Sequence, residues 1–168
     1  MVDLKLPKKR MMVNLAPAWK RAMSFFIDLF IIQFVIILPF GRVMTAKLPM
    51  SDNFSKNYEY FNSNSDIIQQ LTIIFGLIFS LVFLYFVIFE YKFKQTPGKM
   101  FFNLYVEPVD KKETLTLLKV IIRNIAAVPI FPLSLLWIID PLYMFTSGRR
   151  LSDILSKTEV VEEINLYD

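Results

Sequence analysis

The chain has 168 residues, of which 55% are hydrophobic, 15% aromatic and 20% charged, with a net charge of +4. A mean hydropathy of +0.46, and a charge content below the roughly 25% of an average soluble chain, argue against a disordered chain, a coiled coil or an ordinary soluble domain and point to a membrane. With no cysteine and no histidine, disulfides, thiol catalysis, Cys/His metal sites and imidazole acid–base chemistry are excluded.

Residues 1–16 form a basic segment with Lys5, Lys8, Lys9 and Arg10. Lys20 and Arg21 then open an apolar run from Ala22 to Phe40. As a helix this run is about 28 Å long at roughly 1.5 Å per residue, enough to cross a bilayer. No small-x-small cleavage site follows it, so the run reads as an anchor and not a signal peptide. The polar stretch Gly41 to Asp66 is neutral overall and carries Tyr58, Tyr60 and Phe61, residues suited to a headgroup-level belt. Leu71 to Phe89 is a second apolar run without a charge. In it Thr72, Gly76 and Ser80 recur at spacing four, a stripe either for close helix packing or fortuitous.

Glu90 to Lys119 is polar again, with Glu90 expected at the interface. Phe102 to Val106 reads as a short strand and Asp110 to Glu113 as a turn. A third apolar stretch, Val120 to Phe145, is interrupted by Arg123, Asn124, Pro129, Pro132, Asp140 and Pro141. The expected fold is an all-α membrane protein with helices at about 20–40, 67–90 and 117–146 and a small cytoplasmic β element, residues 163–168 being a tail. Basic residues number six ahead of the first helix, three in the first loop and six in the second. This asymmetry places the N-terminus and second loop in the cytoplasm, in a multi-pass protein of the cytoplasmic (inner) membrane. The third stretch either spans once or, as the prolines favour, turns near Pro129–Pro132 and returns as a re-entrant segment or hairpin.

Asp28 follows Arg21 by seven residues, within roughly 20° of the same helix face, and Ser24 lies near that face. A carboxylate there costs on the order of 2–3 kcal/mol and must be paired, protonated or wetted. It is either an ion or proton site or one half of a structural ion pair. Arg123 is expected to reach lipid phosphates or to pair with Asp28, Asp140 to cap or turn the chain near Pro141, and Lys99 to meet anionic headgroups.

Four pieces of sequence in order resemble the RDD family of small prokaryotic membrane proteins. They are Arg21-Ala-Met-Ser-Phe-Phe-Ile-Asp28, Gln95-Thr-Pro-Gly-Lys99 with the following Met-Phe-Phe-Asn-Leu-Tyr-Val106, Arg123-Asn, and Leu151-Ser-Asp153-Ile-Leu-Ser-Lys-Thr158-Glu-Val-Val161. The resemblance covers residues 17–162 and implies that the name-giving arginine and aspartates are Arg21, Asp28 and Asp153. It implies a membrane domain often suggested to transport an unidentified ligand, some members being described as sodium/proton antiporters. Ser152 stands where many members carry histidine, and Ser156-Lys157 replaces a small Ala-Gly. Pairing of Leu104–Val106 with Thr158–Val161, with Tyr105 near Val160, would bring both ends of the third stretch to one side. Asp153 would then approach Arg21 and Arg149 or Arg150.

Thr96-Pro-Gly-Lys99 lacks the G-x4-G-K-[ST] pattern of a phosphate loop, the basic residues form no single nucleic-acid-binding surface, and no hydrolytic constellation stands out. The chain is therefore read as no enzyme, with no cofactor, no catalytic residue and no metal. The leading expectation is exchange of a cation for protons, or carriage of a small solute, with Asp28 as the titrating carboxylate. The charge set is Arg21, Asp28, Arg123 and Asp153, supported by Ser24, Asp140 and Lys99. So few spans would require a homo-oligomer or a partner membrane protein. The alternative is a non-transporting scaffold or regulatory module in which Arg21, Asp28 and Asp153 form a structural network.

Overall fold

The computed structural model describes residues 10–47, 53–125 and 136–166. These fall into two compact units, one formed by the chain up to Asp28 and from Phe86 onward, the other by Leu29–Tyr85. The structure is mostly helical with one small sheet. Two helical segments, Ala18–Val43 and Ser65–Phe93, are long and apolar enough to cross a membrane.

The Leu29–Tyr85 unit holds the end of helix α1 (Ala18–Ile32), a π-helical turn Gln33–Ile37, α2 (Leu38–Lys47), α3 (Phe54–Ser63) and most of α4 (Ser65–Phe93). The π turn has a local cause. Pro39 has no N–H to give to the carbonyl four residues back, and the helix widens just ahead of it, Leu38 N–H bonding to Gln33 O. Asn53 caps α3, its side chain accepting from Ser55 N at 3.0 Å. In α4, Thr72 and Ser80 turn their hydroxyls back onto Ile68 O and Gly76 O. A Cβ at Gly76 would meet nothing within 4 Å, so this stripe packs against no part of the described chain.

The other unit is built on an antiparallel sheet of order β1-β3-β2, from β1 (Arg10–Leu15), β2 (Leu104–Pro108) and β3 (Thr158–Leu166). Leu104, Val106 and Pro108 of β2 are buried in strict alternation, the period of a strand with one covered face. Leu104 and Val160 pack with Ala16 and the partly buried Phe102, and Trp19 meets Phe102 edge-on. Strand β1 arises within the segment read from sequence as a basic arm, and β3 runs on to Leu166 through the segment read as a tail. The small β element is thus three strands, not two.

The expected pairing of β2 with β3 is present, one residue out of register. Tyr105 faces Val161, and Val160 faces Val106. Because successive strand residues point to opposite faces, Tyr105 and Val160 lie on opposite sides of the sheet. Four short helices complete the unit: α5 (Pro97–Met100), α6 (Leu117–Asn124), α7 (Leu136–Ser147) and α8 (Leu151–Leu155). Thr96 and Thr116 cap α5 and α6. Pro141 stands inside α7. Pro129 and Pro132, on which the turn-and-return reading rests, lie outside the described residues.

Candidate functional site

Helix α1 carries Arg21, Ser24 and Asp28 on one buried face, each at most 2% exposed. Ser24 bonds to the Arg21 carbonyl at 2.8 Å. The two charged residues then go separate ways. Arg21 gives Nη2 to Val160 O at 2.9 Å and Nη1 to Asp153 Oδ2 at 3.4 Å. Asp28 accepts from Thr96 Oγ1 at 2.5 Å and from Gly98 N at 2.8 Å. The Thr96-Pro-Gly turn is therefore a clasp on α1. Its hydroxyl and one backbone N–H hold the two oxygens of one carboxylate.

Asp153, on α8 and fully buried, is the centre of the second cluster. Arg123 approaches its Oδ1 with Nη2 at 3.3 Å and turns Nε to Glu90 Oε2 at 3.4 Å. Lys99 forms an ion pair with Glu90 Oε1, and Asn124 donates to Glu90 Oε2 at 2.8 Å. Arg123 Nη1 also reaches Thr158 Oγ1 at 3.4 Å. Arg21, Lys99 and Arg123 thus face Glu90 and Asp153, leaving one positive charge in excess among these five. The contacts at Asp153 are long. Arg21 Nε, Arg123 Nη2 and Asp153 Oδ1 are buried without a hydrogen bond, so the arginine–aspartate contact at 3.3 Å is an ion pair by distance and not a well-aligned bond.

Three expectations are corrected here. Arg123 is buried and directed to Glu90 and Asp153, and not to lipid phosphates. Lys99 is buried against Glu90 instead of meeting headgroups. Burial drives the Lys99 pKa down from 10.5 to about 8, against the pull of Glu90 and with a further push from Arg123. Asp140 sits inside α7, not at its start, and its carboxylate accepts from Ser152 N at 2.9 Å and Ser152 Oγ at 2.7 Å. It caps α8 from a neighbouring helix. Arg149 pairs with Glu159 at 2.9 Å, while Arg150 offers its backbone N–H to Asp153 at 3.4 Å and its guanidinium to the face of Phe25.

Sequence reasoning missed Glu90, which is 1% exposed. The available signal was its position, a lone acid closing an uncharged nineteen-residue run nine residues ahead of Lys99. It also missed the partners of Asp28. Among the described residues, no group of three or more acidic, His or Cys side chains could hold a metal ion.

The buried arginine and aspartates on α1 and α8, beside two helices able to cross a membrane, are the features of a small membrane protein built around a charge network. The RDD family matches residues 15–157, and the chain belongs to that family. No curated protein and no solved structure matches it.

Proposed function

We propose that the chain is a non-transporting scaffold or regulatory module of the cytoplasmic membrane, in which the buried charges lock the sheet-bearing unit together. The observation that carries this reading is the clasp on Asp28. Both carboxylate oxygens accept hydrogen bonds from the Thr96–Gly98 turn. A Cβ at Gly98 would fall 2.8 Å from Asp28 Cγ, so the turn lies directly on the carboxyl group. A carboxylate seated in this way suits a joint better than a site that must exchange ions.

In this reading the N-terminus and second loop are cytoplasmic, following the basic residues. A third apolar stretch that leaves and returns to one side is supported by the ion pair between Arg123, near its start, and Asp153, after its end. Exposed Lys92 and Lys94 at the end of α4 face anionic headgroups. The spans themselves are left for a second copy or a partner membrane protein to cover. No catalytic role is assigned.

Exchange of a cation for protons is the second reading, favoured by the burial of Asp28 and Ser24 within the apolar segment Ala18–Val43. The isosteric change Asp28→Asn separates the two. A lock loses melting temperature and yield of assembled protein, because an amide cannot accept from both donors. An exchanger keeps its fold and loses only flux.

A further inference from the structure

Beside the charge network, the sheet-bearing unit has a cleft of about 380 Å³. Its walls come from the loop after β2, from Arg149 after α7, from Ile154 of α8 and from Lys157–Thr158 at the entry to β3. Val109 N–H bonds to Lys157 O at 3.1 Å and ties two of these segments together.

The lining has a definite chemistry. Arg149 and Lys157 supply positive charge, Asp110 and Glu113 negative charge, and Val109 and Ile154 apolar surface at 44% and 45% exposure. The charged groups are oriented by their neighbours. Glu159 holds the Arg149 guanidinium at 2.9 Å, the Lys112 backbone N–H holds Asp110 Oδ1 at 3.0 Å, and Lys119 pairs with Glu113. Lys157 adopts φ 52°, a left-handed conformation in which glycine carries no penalty and a side chain does. This residue closes the C-terminus of α8, its N–H bonding to Ile154 O at 3.1 Å.

We infer that this cleft binds a small zwitterion with an apolar side chain, of the α-amino acid class. The ligand carboxylate lies toward Arg149 and Lys157, its ammonium toward Asp110 and Glu113, and its side chain against Val109 and Ile154. Cavities of this size bury small ligands, with a few placed polar groups fixing orientation. The cleft also touches the network. Thr158, on its lining, meets Ser156 Oγ at 2.7 Å and Arg123 Nη1 at 3.4 Å.

The test is calorimetric titration of the full chain in nanodiscs with L-leucine, N-acetyl-leucine, leucinamide and inorganic phosphate. Leucine binds saturably. The two derivatives, each lacking one charge, bind at least about tenfold more weakly, the loss that accompanies one charge-assisted contact. Asp110→Asn, which keeps the acceptor for Lys112 N, and Lys157→Gln weaken leucine to a similar degree. Lys157→Gly guards against misfolding, since it relieves the left-handed strain while removing the ammonium, and it too weakens leucine. Absence of leucine binding by folded protein overturns the inference. So does leucine affinity indifferent to Asp110→Asn and Lys157→Gly, or binding of phosphate that leucine does not displace.

Discussion

Gly98 lies directly against Asp28. A Cβ built at residue 98 would stand 2.8 Å from Asp28 Cγ and 2.1 Å from the Ser24 carbonyl oxygen. The second contact is with helix backbone, which cannot swing aside as a side chain can. The glycine is required by close approach, and the approach is what lets Gly98 N reach Asp28 Oδ1 at 2.8 Å.

Gly98→Ala should therefore destabilise the protein by at least the roughly 1–3 kcal/mol of an overpacked site. Gly76→Ala, where a Cβ meets nothing within 4 Å, should leave stability equal or slightly raised, as expected for alanine replacing glycine in a helix. Thermal melts of both variants in detergent make the comparison. Equal melting temperatures for wild type and Gly98→Ala would show that the clasp is not formed as described.

Arg21 and Asp153 should be energetically coupled, and Arg21 and Asp28 should not. Arg21 contacts Asp153 at 3.4 Å, while Asp28 is held by Thr96 and Gly98. A double-mutant cycle with Arg21→Gln and Asp153→Asn should give an interaction of about 0.5–3 kcal/mol, and one with Arg21→Gln and Asp28→Asn a value within about 0.5 kcal/mol of zero. Asp153→Asn should be costly, on the order of 3 kcal/mol, because it leaves the buried Arg21 guanidinium without a carboxylate, while Arg21→Gln, which leaves Asp153 with Arg123, should cost less. A large Arg21–Asp28 coupling would mean the stripe on α1 acts as one pair after all.

Lys99 should make stability depend on pH above neutrality. Its pKa is lowered from 10.5 to about 8 in the fold, chiefly by burial. Between those values the unfolded chain holds the proton and the folded chain does not, so this residue's contribution rises with pH across the interval. Below about pH 8 both states are charged and the penalty is constant. Denaturant titrations of wild type and Lys99→Met should show the wild type gaining relative to the variant as pH rises from about 8 to 10.5. A constant difference would place the Lys99 amine in an ordinary aqueous setting.

The sheet register can be read by crosslinking, in a chain that has no native cysteine. Val106 sends its N–H to Lys94 O at 2.7 Å, away from β3. It thus forms a non-hydrogen-bonded pair with Val160, the closer type of antiparallel pair, with Cα atoms about 4.5 Å apart. Cysteines placed at Val106 and Val160 should bridge readily, and cysteines at Tyr105 and Val160, on opposite faces, should not. Mobility on non-reducing gels after oxidation distinguishes them, and the reverse result would shift the strand by one residue.

The parts of the fold legible in the sequence are those with a strong period or a long run. Leu71–Phe89 lies inside α4, and most of Ala22–Phe40 inside α1, because apolar runs of that length, the first without a charge and the second with only Asp28, have few other solutions. The pairing of β2 with β3 was legible from its β-branched residues, but its register was not, since neighbouring apolar residues in Thr158–Val161 allow either alignment. Strand β1 was hidden because Arg10 and the lysines before it dominate a segment whose later residues, Met11–Leu15, are strand-compatible. The burial of Lys99 and Glu90 was not legible. Each looks interfacial alone, and only the tertiary fold brings them together with Arg123.

The most direct measurement is cation-dependent proton flux in proteoliposomes carrying an internal pH reporter, with sodium, potassium or lithium added outside and Asp28→Asn alongside. The account predicts no flux above empty liposomes from protein that melts cooperatively, together with a lowered melting temperature for the variant. A cation-dependent pH change that disappears in a fully stable Asp28→Asn protein would contradict it, and would place Asp28 on an ion path.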